Sequence, residues 1–151
     1  MIIRQDVAEW VDTHSLPMMD DGTIQWYSKK NKGFLQRTFD RLEEDIPYLD
    51  FTRVKNPMSA EIDFYRTKDL PQNVLGVARG YPSDWTIEAR KGRRYLSTVV
   101  HEIGHVLGLD HPSDHYKERD TIMSYARNRR RKYFFPKDID DLTGIWHSDQ
   151  D

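Results

Sequence analysis

The stretch from His101 to His111 reads HEIGHVLGLDH and decides how this chain is interpreted. His101 and His105 are four residues apart, so on a helix both imidazoles project from one face, about one turn apart. Gly108 can adopt a positive φ, which would end the helix abruptly and turn the chain so that His111 returns to the same place. The spacing therefore predicts three imidazoles, those of His101, His105 and His111, converging on one metal ion.

Three neutral histidines and a water form an open tetrahedral zinc site of the catalytic kind. Zinc lowers the pKa of such a water from about 15.7 to about 7. Glu102 follows the first ligand and is placed to take the proton of that water as general base, then to pass it to the leaving amine as general acid. The alternative is a catalytically inactive domain that only binds zinc. Glu102 discriminates between the two, because mere zinc binding needs no carboxylate at that position.

Composition limits the remaining possibilities. The 151 residues suit one compact domain, and the formal net charge of −2 indicates no particular partner. The chain has no cysteine, which excludes disulfides, thiolate metal ligands and a thiol nucleophile. No apolar stretch near Met1 resembles a signal peptide, and none is long enough to cross a membrane. We therefore expect a cytoplasmic protein or one exported without a signal peptide.

Periodicity predicts one α+β domain with its sheet early and its metal-binding helix late. Residues 1–22 form a separate N-terminal segment, with a short possible helix from Asp6 to Val11 and a turn at residues 20–22, and residues 23–151 form the catalytic domain. Strands are predicted at 23–27, 49–54, 60–65, 74–78 and 85–89, with a break at residues 80–82. Helices are predicted at 31–46, 96–107 and 136–146.

The zinc stretch resembles the extended signature of the metzincin clan of metallopeptidases. The clan also carries a methionine in a tight turn beneath the metal, and residues 121–125 (TIMSY) resemble that turn. The resemblance implies a zincin-type domain with a twisted mixed sheet, an active-site helix and an irregular lower part that ends in a C-terminal helix. It also implies that Met123 forms the apolar floor of the zinc site.

Two families within the clan share features with this chain. The Ile122–Tyr125 turn and the pair of His111 and Pro112 resemble the serralysins, in which a tyrosine at the position of Tyr125 steadies the oxyanion. The short chain and the segment 138–145 resemble a matrixin catalytic domain, although matrixins usually have proline where Tyr125 stands. The calcium-repeat domain of serralysins is absent, so calcium is possible but not evident.

The clan resemblance also indicates where a substrate would bind. Residues 74–78 followed by Tyr81 resemble the strand on the upper rim of the cleft, which would place Val77–Arg79 on a sheet edge. An extended peptide could then add to this edge through main-chain hydrogen bonds. We therefore expect a monomeric zinc metalloendopeptidase that acts on proteins or peptides, without a membrane or nucleic-acid partner.

The basic run Arg127–Lys132 follows the methionine turn, where the clan places the wall of its main specificity pocket. Three interpretations remain open for this run: a solvated charged loop, a preference for acidic substrate side chains, and binding of nucleic acid or another polyanion. The last is the rival function from a different class, a non-catalytic binding domain. Near the third histidine, Asp110 and His115 are more readily explained as ordinary loop residues than as participants in the site.

Overall fold

The computed structural model describes residues 2–5, 23–81, 84–114 and 116–147. These residues form a mixed sheet of six strands and three α-helices. In chain order the elements are β1 Ile2–Gln5, β2 Thr23–Ser28, α1 Lys32–Asp45, β3 Asp50–Arg53, β4 Ile62–Thr67, β5 Gly76–Tyr81, β6 Asp84–Arg90, α2 Tyr95–Val106 and α3 Pro136–Ile145. The predicted α+β class, with a mixed sheet, a helix that carries His101 and His105, and an irregular part before the C-terminal helix, is confirmed.

The sheet order is β1-β5-β6-β4-β2-β3. Strands β3, β2, β4 and β6 pair in parallel, whereas β5 is antiparallel to both β6 and β1. Parallel neighbours need a crossover connection, and α1 supplies the one between β2 and β3. The antiparallel strand β5 therefore lies towards one end of the sheet, beside the helix that carries the histidines.

The core beneath the sheet follows from alternation in the strands and from one apolar stripe on α1. In β2 the side chains of Ile24 and Trp26 are buried, with more exposed residues between them. Phe39 of α1 packs against Trp26 with ring centroids 5.2 Å apart and stacks on Phe51 at 4.3 Å. This aromatic cluster fixes α1 on the sheet.

The rim strand differs from the prediction in two ways. Strand β5 runs from Gly76 to Tyr81, so it includes the first two residues of the expected break. The prediction that Val77–Arg79 lies on a sheet edge is wrong, because β1 pairs with it and places Ile3 opposite Arg79. An edge strand carries unpaired main-chain groups, and here another segment of the same chain satisfies them.

Other predictions about the N-terminal segment stay open. The possible helix at 6–11 and the turn at 20–22 lie outside the described residues, and the boundary between residues 22 and 23 remains a prediction. Within the described residues, none of the helices combines the length and the apolar character needed to span a bilayer.

The described residues between α2 and α3 form neither helix nor strand, and α3 holds them in place. Asp138 is buried in the first turn of α3, and its carboxylate accepts hydrogen bonds from the Thr121 hydroxyl and from the backbone N–H groups of Ile122 (2.8 Å) and Phe135 (2.9 Å). The Trp146 indole donates to the carbonyl of Leu107 at 2.9 Å. These contacts join the C-terminal helix to both ends of the irregular segment.

Candidate metal centre

Helix α2 brings the first two histidines to the site, and the turn that follows the helix brings the third. His101 and His105 are fully buried, one turn apart on α2. Gly108 adopts a φ of 109°, the left-handed conformation that the sequence analysis expected there. The N–H of Leu109 then returns to the carbonyl of Gly104 at 2.8 Å. This turn reverses the chain and directs His111 back towards the helix.

The three imidazoles converge through their Nε2 atoms. The Nε2 of His111 lies 3.2 Å from that of His105 and 3.3 Å from that of His101. Each side chain offers one ligand nitrogen, and these nitrogens all lie within 4.8 Å of one another. Among the residues that the structure describes, these three histidines form the cluster that could hold a metal ion.

The opposite ring nitrogens show that the arrangement fits zinc. His101 Nδ1 lies 2.8 Å from the carbonyl oxygen of Ile122, and His105 Nδ1 lies 2.9 Å from that of Leu109. A carbonyl only accepts, so an Nδ1 that carries the hydrogen donates to it and leaves the Nε2 lone pair free for a metal. Neutral imidazoles with directed lone pairs are the ligands that zinc prefers. His111 is only half-buried, which leaves the site open on its side.

Glu102 lies between α2 and the first residue of β5. Its side chain is 0% exposed. A Cβ atom placed on Gly76 would lie 3.0 Å from Glu102 Oε1 and 2.6 Å from Thr98 Cγ2. Any larger residue at 76 would therefore displace the carboxylate. The signal in the sequence is a glycine at the start of a strand, which often marks a close approach.

Met123 packs against α2 on the face that carries Gly104. It is buried, and a Cβ atom on Gly104 would meet its sulfur at 2.5 Å. The glycine of the zinc motif is thus needed for the methionine to lie directly under the helix. The backbone N–H of Met123 donates to the Thr121 hydroxyl at 3.1 Å, which holds the turn in shape.

Tyr125 lies beside the histidines. Its ring centroid is 4.9 Å from that of His111 and 6.3 Å from that of His101, and the side chain is half-buried. The exposed Tyr116 packs against it at 5.4 Å. The structure therefore brings together every residue that the sequence analysis placed at the site: His101, Glu102, His105, His111, Met123, Tyr125 and the turn residue Gly108.

Arg127 also lies at the site, and the sequence analysis did not predict this. The side chain is 3% exposed, and its guanidinium donates to the Ser124 carbonyl (2.7 Å) and to the Ser97 hydroxyl (3.1 Å). The same group lies 3.4 Å from His101 Nδ1. Arg127 thus ties the methionine turn to the metal-binding helix. A possible signal was Ser97, a small polar residue one turn before His101 on the same helical face.

The interpretation of Arg127–Lys132 as a solvated loop is consequently wrong for Arg127. Besides the buried Arg127, Arg131 donates to the carbonyls of Tyr133 (3.0 Å) and Phe134 (2.7 Å). Arg130 and Lys132 remain exposed. Binding of a polyanion to this run stays a prediction. Asp110 is exposed, and His115 lies outside the described residues.

Comparison with known proteins agrees with this site. The family model of the matrixins matches residues 81–148. A probable matrix metalloproteinase, 095L of Invertebrate iridescent virus 3, is 28% identical and aligns with 93% of this chain. The chain spans 43% of that relative's length.

One solved structure shares the fold at low identity, and a second is similar over much of the chain. A GM1-bound form of the ECX AB5 holotoxin aligns with a TM-score of 0.59 and 12% identity, over 83% of this chain and 80% of that one. Archaemetzincin from Methanopyrus kandleri aligns with a TM-score of 0.49 and 13% identity, over 85% of this chain and 97% of that one.

The histidine triad on a buried helix, with a carboxylate beside it, is the arrangement of a zinc metallopeptidase. Together with the matrixin match, it supports a metzincin-type zinc metallopeptidase domain.

Proposed function

We propose that this protein is a zinc-dependent endopeptidase that hydrolyses internal peptide bonds of proteins. The observation that carries the proposal is the convergence of three Nε2 atoms, two of them oriented by carbonyls at Nδ1, with the buried Glu102 carboxylate on the same helix.

His101, His105 and His111 hold the metal in this proposal. When bound, zinc acts as a Lewis acid on the scissile carbonyl and makes water a nucleophile at neutral pH. The Glu102 carboxylate accepts the proton of the attacking water and returns it to the nitrogen of the leaving amine. Burial between α2 and β5 keeps this carboxylate in place during both transfers. The Tyr125 hydroxyl donates a hydrogen bond to the developing oxyanion.

The proposed peptide site is the β5 edge that β1 covers. β1 shows that this strand accepts an extended segment in antiparallel register, from Ile2 opposite Gly80 to Gln5 opposite Val77. Gln5, the last residue of β1, therefore lies beside the N-terminal end of β5, where Gly76 contacts Glu102. We infer that a substrate pairs with β5 in place of β1, with the same main-chain hydrogen bonds.

Proline substitutions in β1 test this binding mode. In an antiparallel pair, alternate residues direct their N–H groups towards the partner strand, and proline has none. Either Ile3→Pro or Arg4→Pro therefore breaks the pairing with β5, and the other serves as its control. We expect the disruptive variant to lower KM for a long peptide several-fold with kcat unchanged. Equal KM values in both variants and the parent would contradict the shared edge.

The proposed activity is tested by digesting unfolded casein and mapping the products by mass spectrometry. We expect fragments from internal bonds, complete loss of cleavage with a chelator, and recovery on adding zinc. Products trimmed only from chain ends would contradict an endopeptidase. A zinc-loaded protein that cleaves no peptide would favour the inactive zinc-binding alternative. Adding calcium with and without zinc in the recovery step tests the calcium requirement that the sequence leaves open.

A further inference from the structure

A second basic run, the loop at residues 90–94 between β6 and α2, surrounds a surface cavity of about 250 Å³. Leu75 and Thr98 complete the lining, and none of the described lining residues is acidic. Lys91, Arg93 and Arg94 are exposed and form no ion pair within the described part of the chain. We refer to this feature, residues 90–94 with Leu75 and Thr98, as the cationic cavity.

Arg90 gives the cationic cavity its shape. Its guanidinium donates to the carbonyls of Leu70 (2.9 Å), Pro71 (2.8 Å) and Val74 (3.1 Å). These bonds hold the segment before β5 against the loop before α2. The donors of Arg90 are used within the protein, so Arg93, Arg94 and Lys91 supply the charge that a ligand would meet.

Thr98 provides a second observation that points to a ligand. The residue is 1% exposed, and its hydroxyl oxygen is buried without a hydrogen-bond partner among the described residues. A buried hydroxyl that lacks a partner costs about 1–3 kcal/mol, so the Thr98 hydroxyl calls for a partner such as a water or a ligand atom. The cavity also lies at the N-terminus of α2, where the helix dipole favours negative charge. Both features suit an anionic oxygen ligand.

The cationic cavity adjoins the proposed catalytic carboxylate. Thr98 and Glu102 are four residues apart on α2 and both contact Gly76, and the preceding residue Leu75 lines the cavity. Side chains four apart on a helix are about 5–6 Å from each other. A peptide advances about 3.3 Å per residue when extended. A substrate side chain in the cavity would thus belong to a residue within about three positions of the scissile bond.

We propose that the cationic cavity is a subsite for a carboxylate side chain, Asp or Glu, of the peptide substrate. The proposal rests on the proposed endopeptidase function and adds a substrate class to it. The preference for acidic substrate side chains is thereby assigned to Arg93 and Arg94 at the surface. It is not assigned to Arg127–Lys132, because Arg127 and Arg131 form hydrogen bonds within the protein.

The test measures peptide binding separately from cleavage. Zinc-loaded Glu102→Gln protein is titrated with fluorescent peptides that carry Glu or Gln at each position around the bond cut by the parent or, if none is cut, across a fixed sequence. We expect one position at which Glu binds at least tenfold more tightly than Gln. In Arg93→Gln/Arg94→Gln this preference is lost, while the Gln peptide binds as before. The single variant Arg93→Gln is titrated in the same way, because Arg94 is the residue immediately before α2.

The matched control is Arg53→Gln/Lys55→Gln, which removes the same charge beside β3 at the opposite end of the sheet. This control should retain the Glu preference. Equal binding of Glu and Gln peptides at all positions overturns the proposal, as does an equal loss in the control. If inorganic sulfate competes with the peptides but Glu and Gln peptides bind equally, the cavity is a site for free anions. This result also overturns the proposal. If the parent protein cleaves no peptide, the proposed endopeptidase function is refuted. The difference in affinity between Glu and Gln peptides is measured without cleavage and tests the cavity separately.

Discussion

The two regions that meet at the metal centre are held together by different forces. From β2 to α2 the chain is regular, and apolar side chains such as Trp26 and Phe39 pack in its core. From Leu107 to Phe135 the described chain is irregular, and buried polar groups hold it, above all Arg127 and Asp138. A buried charge is tolerated only when it is hydrogen-bonded. The irregular region is therefore specified by a few polar contacts, and we expect single changes there to affect the metal centre itself.

The largest effect is predicted for Glu102 of α2, whose carboxylate lies between two elements of the regular region. Glu102→Gln keeps the shape of the side chain but cannot accept the proton, so kcat should fall about 10²–10⁴-fold. Zinc content and melting temperature should stay close to those of the parent. Glu44→Gln on the exposed face of α1 is the matched control. Undiminished kcat in Glu102→Gln would remove this residue from the mechanism.

A somewhat smaller effect is predicted for Tyr125 in the irregular region. Tyr125→Phe retains the ring beside His111 and removes only the hydroxyl. Loss of one oxyanion donor costs about 2.7–4 kcal/mol, which corresponds to roughly 10²–10³ in kcat. We expect KM and zinc affinity to change little. A rise in KM with kcat preserved would show that Tyr125 binds the substrate instead.

Arg127 should reveal whether the polar contacts of the irregular region support the metal. Arg127→Met removes the bonds to Ser97 and Ser124, and we expect zinc affinity to fall about 10–100-fold, as for other partners of metal ligands. Arg127→Lys keeps the charge and should recover part of this loss. Arg130→Met, at an exposed site in the same run, is the control. Competition with a chromogenic chelator measures the affinity, and equal values for Arg127→Met and Arg130→Met would contradict the assignment.

The smallest effect is predicted for the regular region and concerns stability alone. Burial raises the pKa of Asp63 on β4 from 3.8 to about 6, with a contribution from the nearby Asp84. The folded protein therefore holds this proton more tightly than the unfolded chain, so stability falls as the pH rises from about 4 to about 6 and stays reduced above it. Asp63→Asn should raise the melting temperature at pH 8 but not at pH 3.5.

Activity at pH 8 should be unchanged in Asp63→Asn, since the residue lies on the sheet and not at the site. Asp141→Asn on the exposed face of α3 is the control for a simple change in net charge. A gain in melting temperature that is equal at both pH values would show that burial of the charge is not its cause.

The same contrast explains what could be predicted from the sequence. Short-range patterns specify the regular region, so the strands β2, β3, β4 and β6 and all three helices were predicted to within two residues. The zinc motif is also local, because His101, His105 and the Gly108 turn lie within eleven residues of His111. These features depend on neighbours along the chain, and periodicity and spacing record them directly.

Long-range contacts account for the features that were not predicted. The pairing of β1 with β5 joins residues more than seventy positions apart, and no pattern in Ile2–Gln5 indicates its partner. Arg127 reads as one of several surface charges until Ser97 and Ser124 are seen around it. Asp138 has the same character, since its partners Thr121 and Ile122 precede it by a loop. A polar side chain becomes a structural element only through partners that are distant in the sequence.

The central claim is that His101, His105 and His111 bind one zinc ion together, and X-ray absorption at the zinc edge tests it most directly. We predict three imidazole nitrogens at about 2.0–2.1 Å and one further light-atom ligand that peptide-like inhibitors displace. In His111→Ala the spectrum should lose one imidazole. An unchanged imidazole count in His111→Ala, or four protein ligands that no inhibitor displaces, would contradict the account.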